Sequence, residues 1–168
     1  MKLNVGSSCA RGEYKEKEWV NLDMLKVARV NVVASGEFLP FRDDTFDEIR
    51  IIHVLEHVRR DKASVVLREA HRVAKSGAVV YVETPNLKEL VRNLHLAFVH
   101  SDNVASHKWT TSIYGKSDRI GMEHYWGYTS DTLSGLLTEA GFSNVHEPNY
   151  HISQHHRQEP VILLSGEK

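Results

Sequence analysis

Leu3-Asn4-Val5-Gly6-Ser7-Ser8 is a short apolar strand that runs into a turn of very small residues. Trp19-Val20-Asn21-Leu22-Asp23 repeats the strand and sets a carboxylate at its tip; Gly36-Glu37-Phe38-Leu39-Pro40-Phe41 and Phe46-Asp47-Glu48 follow in order. Small residues let the backbone amides of a turn approach a ligand, and an acid ending the next strand can hold ribose hydroxyls. This order and spacing describe a parallel sheet that grips a nucleoside.

Outward from that stretch, apolar segments alternate between strand-like and helix-like periods, the mark of an α/β domain. Strands are expected at Lys2–Val5, Trp19–Leu22, Val30–Val33, Glu48–Ile52 and Ala78–Glu83. The last is apolar through Ala78–Val82, as a central strand buried on both faces should be. Asp61 caps a helix to about Lys75, with Ala63, Val66, Ala70 and Val73 on one face and Ser76-Gly77 as its stop. Pro85-Asn86 opens a second helix carrying Leu87, Leu90, Val91, Leu94 and Phe98 at helical spacing. A third, from about Asp131 to Ala140, is capped by Thr129 or Ser130 and closed by Gly141. Two short strands, Asn144–Glu147 and Pro160–Leu164, end the chain as a hairpin, so the last strand enters an otherwise parallel sheet antiparallel. Residues 1–168 read as one domain with an insert at about 87–126.

Composition narrows the class of function. The 168 residues are 41% apolar and 26% charged, ordinary globular values. A net charge of −1 exerts no global pull toward nucleic acid or acidic lipid, so neither is expected as a partner. No long apolar run announces a signal peptide or a membrane span. The lone Cys9 excludes an internal disulfide and fits a reducing, cytoplasmic setting.

The stretches quoted above, with His53-Val54-Leu55-Glu56-His57, Leu67-Arg68-Glu69-Ala70-His71-Arg72-Val73 and Thr138-Glu139-Ala140-Gly141-Phe142, resemble the class I S-adenosylmethionine-dependent methyltransferases of the small-molecule branch. The resemblance covers residues 2 to about 87 well and 127 to 146 moderately. It implies a Rossmann-like sheet of seven strands, mostly parallel with an antiparallel last strand, and S-adenosylmethionine as cofactor. It also implies that Gly6, Ser7 and Ser8 pass close to the methionine part and that Asp23 holds the ribose. Gly36 and Glu37 would sit beside the adenine with Phe38 packing on its face, and His53 near the sulfonium. The chain departs from the family at Ser8, where a second glycine is usual, at Ser35, often an acid, and at Lys75-Ser76-Gly77-Ala78, usually Lys-Pro-Gly-Gly.

Only about ten residues separate Ser8 from Trp19, and Glu13–Glu18 is almost wholly polar. An ordinary amphipathic crossover helix does not fit there, so this is a minimal version with reduced N-terminal helices. One apolar sheet face should then lack cover, which the 87–126 insert or a second subunit in a homodimer would supply.

Several residues keep two readings. Glu37 is either an adenine neighbour or a solvated turn residue, and His53 either touches substrate or packs. His57 either caps a short turn or takes part in catalysis. His124, in His124-Tyr125-Trp126-Gly127-Tyr128, is a candidate general base between aromatic walls suited to a sugar or planar ring, or Trp126 and Tyr128 pack under a cap. His151, His155 and His156 with Glu147 and Glu159 read as a polar hairpin loop, so no metal is assigned.

The expected chemistry is O-methylation of a small polar acceptor such as a sugar, glycan or metabolite, with a histidine taking the hydroxyl proton. A non-catalytic partner retaining the fold is the alternative. An NAD-dependent dehydrogenase ranks lower, since Gly6-x-Ser8-x-x-Arg11 lacks the second and third glycines of its fingerprint.

Overall fold

The computed structural model describes residues 1–7, 18–26, 30–116, 118, 121–149 and 159–168. Seven strands form one sheet: β1 (Lys2–Val5), β2 (Trp19–Asp23), β3 (Val32–Val33), β4 (Phe46–Ile52), β5 (Ala74–Pro85), β6 (Ser143–His146) and β7 (Val161–Glu167). Their order is β3-β2-β1-β4-β5-β7-β6, with β7 antiparallel to both neighbours and the other pairings parallel. The chain steps left from β1 to β2 and right from β1 to β4. The carboxyl end of β1 is therefore a topological switch point, where open α/β sheets form their ligand crevice.

Among the described residues four α-helices accompany the sheet: α1 (Arg60–Val73), α2 (Leu87–Val99), α3 (Asn103–Tyr114) and α4 (Ser130–Glu139). Leu3, Val5, Leu22, Ile49, Ile51, Val80, Val82, Ile162 and Leu164 point to one face and meet Ala63, Val66, Leu67, Ala70, Leu133 and Leu137 of α1 and α4 in a single core. α1 begins after Arg59 rather than Asp61, which stands in its first turn, and it ends at Val73 as the backbone goes straight into β5. Ser76-Gly77 is therefore no helix stop. It sits in a bulge of β5, where the pairing with β4 jumps from Phe46↔Ala74 to Glu48↔Val79. At α4 the expected cap is present: Thr129 and Thr132 form a reciprocal capping box.

The opposite sheet face departs from the expectation of bare apolar surface. Register puts Lys2, Asn4, Trp19, Asn21, Glu48, Arg50 and Tyr81 there. Glu48 accepts from Arg50 Nε at 2.6 Å and lies 3.1 Å from Lys2 Nζ. The Arg50 guanidinium lies 4.8 Å from the Trp19 ring centroid and 5.8 Å from that of Tyr81. Asn4 Nδ2 donates to Asn21 Oδ1 at 3.1 Å. Charged and aromatic side chains thus satisfy one another across this face, which removes the apolar surface on which a covering insert or homodimer was argued.

The insert does not spread over the sheet either. α2 and α3 pack mainly on each other, and the base of the insert is pinned where Leu87 N–H donates to Tyr128 O at 2.9 Å. α3 is an element that the sequence reading leaves unassigned. Asp102 caps it by accepting from Ala105 N–H at 2.9 Å, and Gly115 ends it at φ +76°. No helix of the described residues is long and apolar enough to cross a membrane.

Candidate active site

A cavity of about 310 Å³ opens at the carboxyl ends of β1 and β2, within the size range of small-molecule sites. Gly6, Asp23, Gly36, Glu37, His53 and His57 line it, together with apolar walls from Leu22, Met24, Leu25, Ala34 and Val66. Gly6 turns the chain at φ +76° and donates its N–H to Leu22 O at 2.8 Å. A Cβ there would stand 2.2 Å from Val54 Cγ2, so the position has no room for a side chain. Asp23 is buried, and its Oδ1 accepts from Leu25 N–H at 2.9 Å, which fixes the carboxylate at the strand tip. Glu37 lies 3.8 Å from Lys62 Nζ, at the cavity's rim.

Other sequence candidates fall elsewhere. Ser7 is buried but outside the cavity lining. Ser8 lies outside the described residues, as do His151, His155 and His156. Phe38 is 75% exposed and does not line the cavity. The turn that donates Phe38 N–H to Ser35 O at 3.1 Å directs it outward, and Met24 and Leu25 supply the apolar walls instead.

A second cavity, about 440 Å³, adjoins the first. His53, His57 and Met122 line both, so the two meet at these residues. The second is otherwise lined by Glu56, Pro85, His107, Lys108, Thr111, Ser112, Gly115, Lys116, His124 and Glu159. It joins segments far apart in the chain. Tyr125 N–H donates to Glu56 O at 2.7 Å, docking the end of the insert on the turn at Leu55–His57. Lys116 N–H donates to Met122 O at 2.9 Å, and a Cβ on Gly115 would stand 2.2 Å from that same oxygen.

Three histidines meet at the junction, one held by carboxylates and two by backbone carbonyls. His53, at φ +53°, is clamped between carboxylates: Nδ1 is 2.9 Å from Glu56 Oε1 and Nε2 is 3.2 Å from Glu83 Oε1. Burial alone would lower its pKa, but the two carboxylates outweigh that and raise it to about 9. At neutral pH His53 is an imidazolium with both nitrogens engaged, so the lone pair a base requires is missing. His57 Nδ1 donates to Glu123 O at 3.0 Å and His124 Nδ1 to Ser112 O at 3.0 Å. A carbonyl only accepts, so each ring carries a proton on Nδ1, and in the neutral ring the lone pair is on Nε2. Burial lowers the pKa of His124, against an opposing pull from Glu56. The rings stand 4.8 Å apart, edge to face.

Glu56 and Glu83, buried and decisive for His53, are passed over by sequence reasoning. Glu83 carries a usable signal, as the charge that directly follows the apolar run Ala78–Val82 of the central strand. The expected aromatic walls are absent: Tyr128 is packed in the core, its pKa raised to about 12 by burial and by Glu56, and Trp126 lies under the Arg60 guanidinium at 4.6 Å.

A family model described as a methyltransferase domain matches residues 9–147. The ubiquinone/menaquinone biosynthesis C-methyltransferase UbiE of Pectobacterium atrosepticum is 31% identical over 147 residues, a match covering 75% of this chain and 55% of that protein. The chain therefore spans about half the length of the curated relatives it matches. A SAM-dependent methyltransferase from Archaeoglobus fulgidus superposes with a TM-score of 0.63 at 17% identity, covering 99% of this chain and 85% of that one. The 1,6-didemethyltoxoflavin-N1-methyltransferase of Burkholderia thailandensis, solved with its substrate and S-adenosylhomocysteine, gives 0.63 at 12% identity, covering 99% and 70%.

Proposed function

The chain belongs to the S-adenosylmethionine-dependent methyltransferases, and on that premise we propose that it transfers a methyl group to a hydroxyl of a small polar acceptor held in the second cavity. The observation that carries this reading is the abutment of two unlike cavities at His53, His57 and Met122. The first suits the cofactor by its chemistry: a buried strand-tip acid for ribose hydroxyls, apolar walls for a purine, and close backbone at Gly6 and Gly36. S-Adenosylmethionine held there by Asp23, Gly36 and Glu37 would supply an electrophilic methyl group for the acceptor oxygen.

The chain's own residues do the remaining work. Asp23 and the Gly36–Glu37 backbone orient the adenosine, and α3 with Met122 and His124 walls the acceptor cavity. His57 and His124, each with an Nε2 lone pair, promote loss of the acceptor's proton. His53 holds Glu56 and Glu83 in place. Lys108, Lys116 and Glu159 give the second cavity the charged lining that a sugar or polar metabolite requires. A carbon acceptor, as in the name of the UbiE relative, is the second reading; isotope-labelled methyl and NMR of the product separate the two.

Calorimetric titration with S-adenosylmethionine, S-adenosylhomocysteine and NAD tests the cofactor assignment. Binding of the first two is expected. NAD alone would point to a dehydrogenase, and no binding at all to a non-catalytic scaffold. Turnover tests the acceptor half: His124→Ala should lower kcat by ~10²–10⁴-fold while leaving S-adenosylhomocysteine affinity unchanged.

A further inference from the structure

At the junction of the cavities, Glu56, His57 and His124 each offer one donor atom, and the three lie within 4.8 Å of one another. Both histidines are already oriented as ligands usually are. Their Nδ1–H groups are committed to the carbonyls of Glu123 and Ser112, which fixes the tautomer and leaves Nε2 for a cation. Glu56 spends Oε1 on His53, whereas its Oε2 is buried and has no hydrogen-bond partner among the described residues. A carboxylate oxygen taken out of water without a partner is costly. A bound cation would explain why this one is retained.

We propose that Glu56 Oε2, His57 Nε2 and His124 Nε2 bind a divalent transition-metal cation, zinc above all, with a further position open to the acceptor cavity. Two imidazoles and one carboxylate form a donor set that zinc accepts, and three protein ligands are the number that leaves a site for substrate. Tetrahedral zinc ligands stand roughly 3.4 Å apart, so the donors draw in by about an ångström on binding. The set is invisible in the sequence because His124 reaches it through tertiary contacts, the docking of Tyr125 on Glu56 and of His124 itself on Tyr114 and Ser112.

Such a cation would deepen the role given above to the histidine pair, and this part rests on the methyl-transfer reading. An acceptor hydroxyl at the open position ionises on the cation near neutral pH, its proton leaving to water. The resulting oxyanion lies beside the cofactor cavity, and the lone pairs of His57 and His124 act as ligands.

The test uses the full chain stripped with a chelator, then titrated with Zn²⁺ and with Co²⁺, whose visible absorption reports its ligands; S-adenosylhomocysteine is titrated in parallel. One equivalent of Zn²⁺ should bind, weakened ~100-fold or more in Glu56→Gln and in His124→Ala, with S-adenosylhomocysteine affinity unchanged. His124→Ala leaves the His53 clamp intact, so the result remains readable if Glu56→Gln fails to fold. Zn²⁺ that does not bind the folded protein, or that binds His124→Ala as tightly as the parent, overturns the metal site and leaves methyl transfer standing. Zn²⁺ binding without any S-adenosylhomocysteine binding supports the metal site and overturns the cofactor reading.

Discussion

The two cavities are made in opposite ways. The first belongs to the sheet: Val5, Gly6, Leu22 and Asp23 come from the ends of adjacent parallel strands, and apolar walls stand beside Asp23, Glu37, Arg59 and Lys62. The second belongs to packing: the 55–57 turn, the end of β5, α3, residues 122–124 and Glu159 meet there, bringing four histidines, two lysines and two glutamates. A strand-tip site follows from local sequence and the handedness of the sheet, so one fold can keep it while the insert changes. A site built from distant segments carries the specificity, because any change in the insert redraws it.

The largest effect is expected where the two cavities share a wall. Glu83→Gln removes a fully buried carboxylate from His53 and so one of the two charges that hold that imidazolium. Breaking one side of a buried charge set costs about 3–5 kcal/mol, so urea denaturation should show a stability loss of that order, with both cavities failing together. The parent protein, kept free of metal by a chelator, should show the same linkage through pH. The His53 pKa is raised from the usual 6.5 to about 9, so its stabilisation is complete below pH 6.5 and disappears as pH rises through 9. That amounts to about 3 kcal/mol. Glu56, Glu83 and His124 are the ionisable groups facing it. A flat profile between pH 6.5 and 9 would show that the clamp is not charged.

Gly6→Ala should break the first cavity by a different route. A methyl group at φ +76° and 2.2 Å from Val54 Cγ2 combines backbone strain with overpacking, about 2–4 kcal/mol together. Gly36→Ala is the control: its Cβ would meet Val5 and Val66 at 3.4 Å, ordinary contact, and its cost should stay under about 1 kcal/mol. Equal losses in the two variants would mean that the turn after β1 is not the tight point of the cavity.

Sequence legibility follows the same division. The strands that form the first cavity show their period, and Gly6 and Asp23 stand at fixed points of that period, so Gly6, Asp23, Gly36 and Glu37 could be named and do line the cavity. Phe38 fails because a turn, rather than a strand, sets its direction. The helix stop at Ser76-Gly77 fails because α1 passes directly into β5 and the glycine serves a bulge. α3 carries no apolar stripe; only Asp102 and Gly115 mark its ends. His53, His57 and His124 could be singled out one by one, whereas their meeting, and the part played by Glu56 and Glu83, depends on tertiary contacts that no local pattern encodes.

Asp23→Ala sharpens the comparison from the cofactor side. Loss of the charged acceptor of ribose hydroxyls should weaken S-adenosylhomocysteine binding ~10–100-fold, the value of hydrogen bonds to an ionised group. Its Oδ1 also accepts from the Leu25 amide in the adjoining loop, so the thermal midpoint is measured alongside to separate a folding loss from a binding loss. Unchanged affinity in calorimetry would remove Asp23 from the ribose role and with it the nucleoside reading of the cavity.

The smallest effect tests whether the first cavity is finished before its ligand arrives. Phe38 is three-quarters exposed and outside the lining, so Phe38→Ala should alter stability by less than about 0.5 kcal/mol. S-Adenosylhomocysteine affinity should change less than ~2-fold, because Leu25 and Ala34 already form the apolar wall. A loss as large as that of Asp23→Ala would require the turn at 35–38 to swing inward and lay Phe38 on the adenine. The sheet-borne site would then be completed by its ligand, and the contrast between a cavity set by strands and one assembled from distant segments would no longer hold.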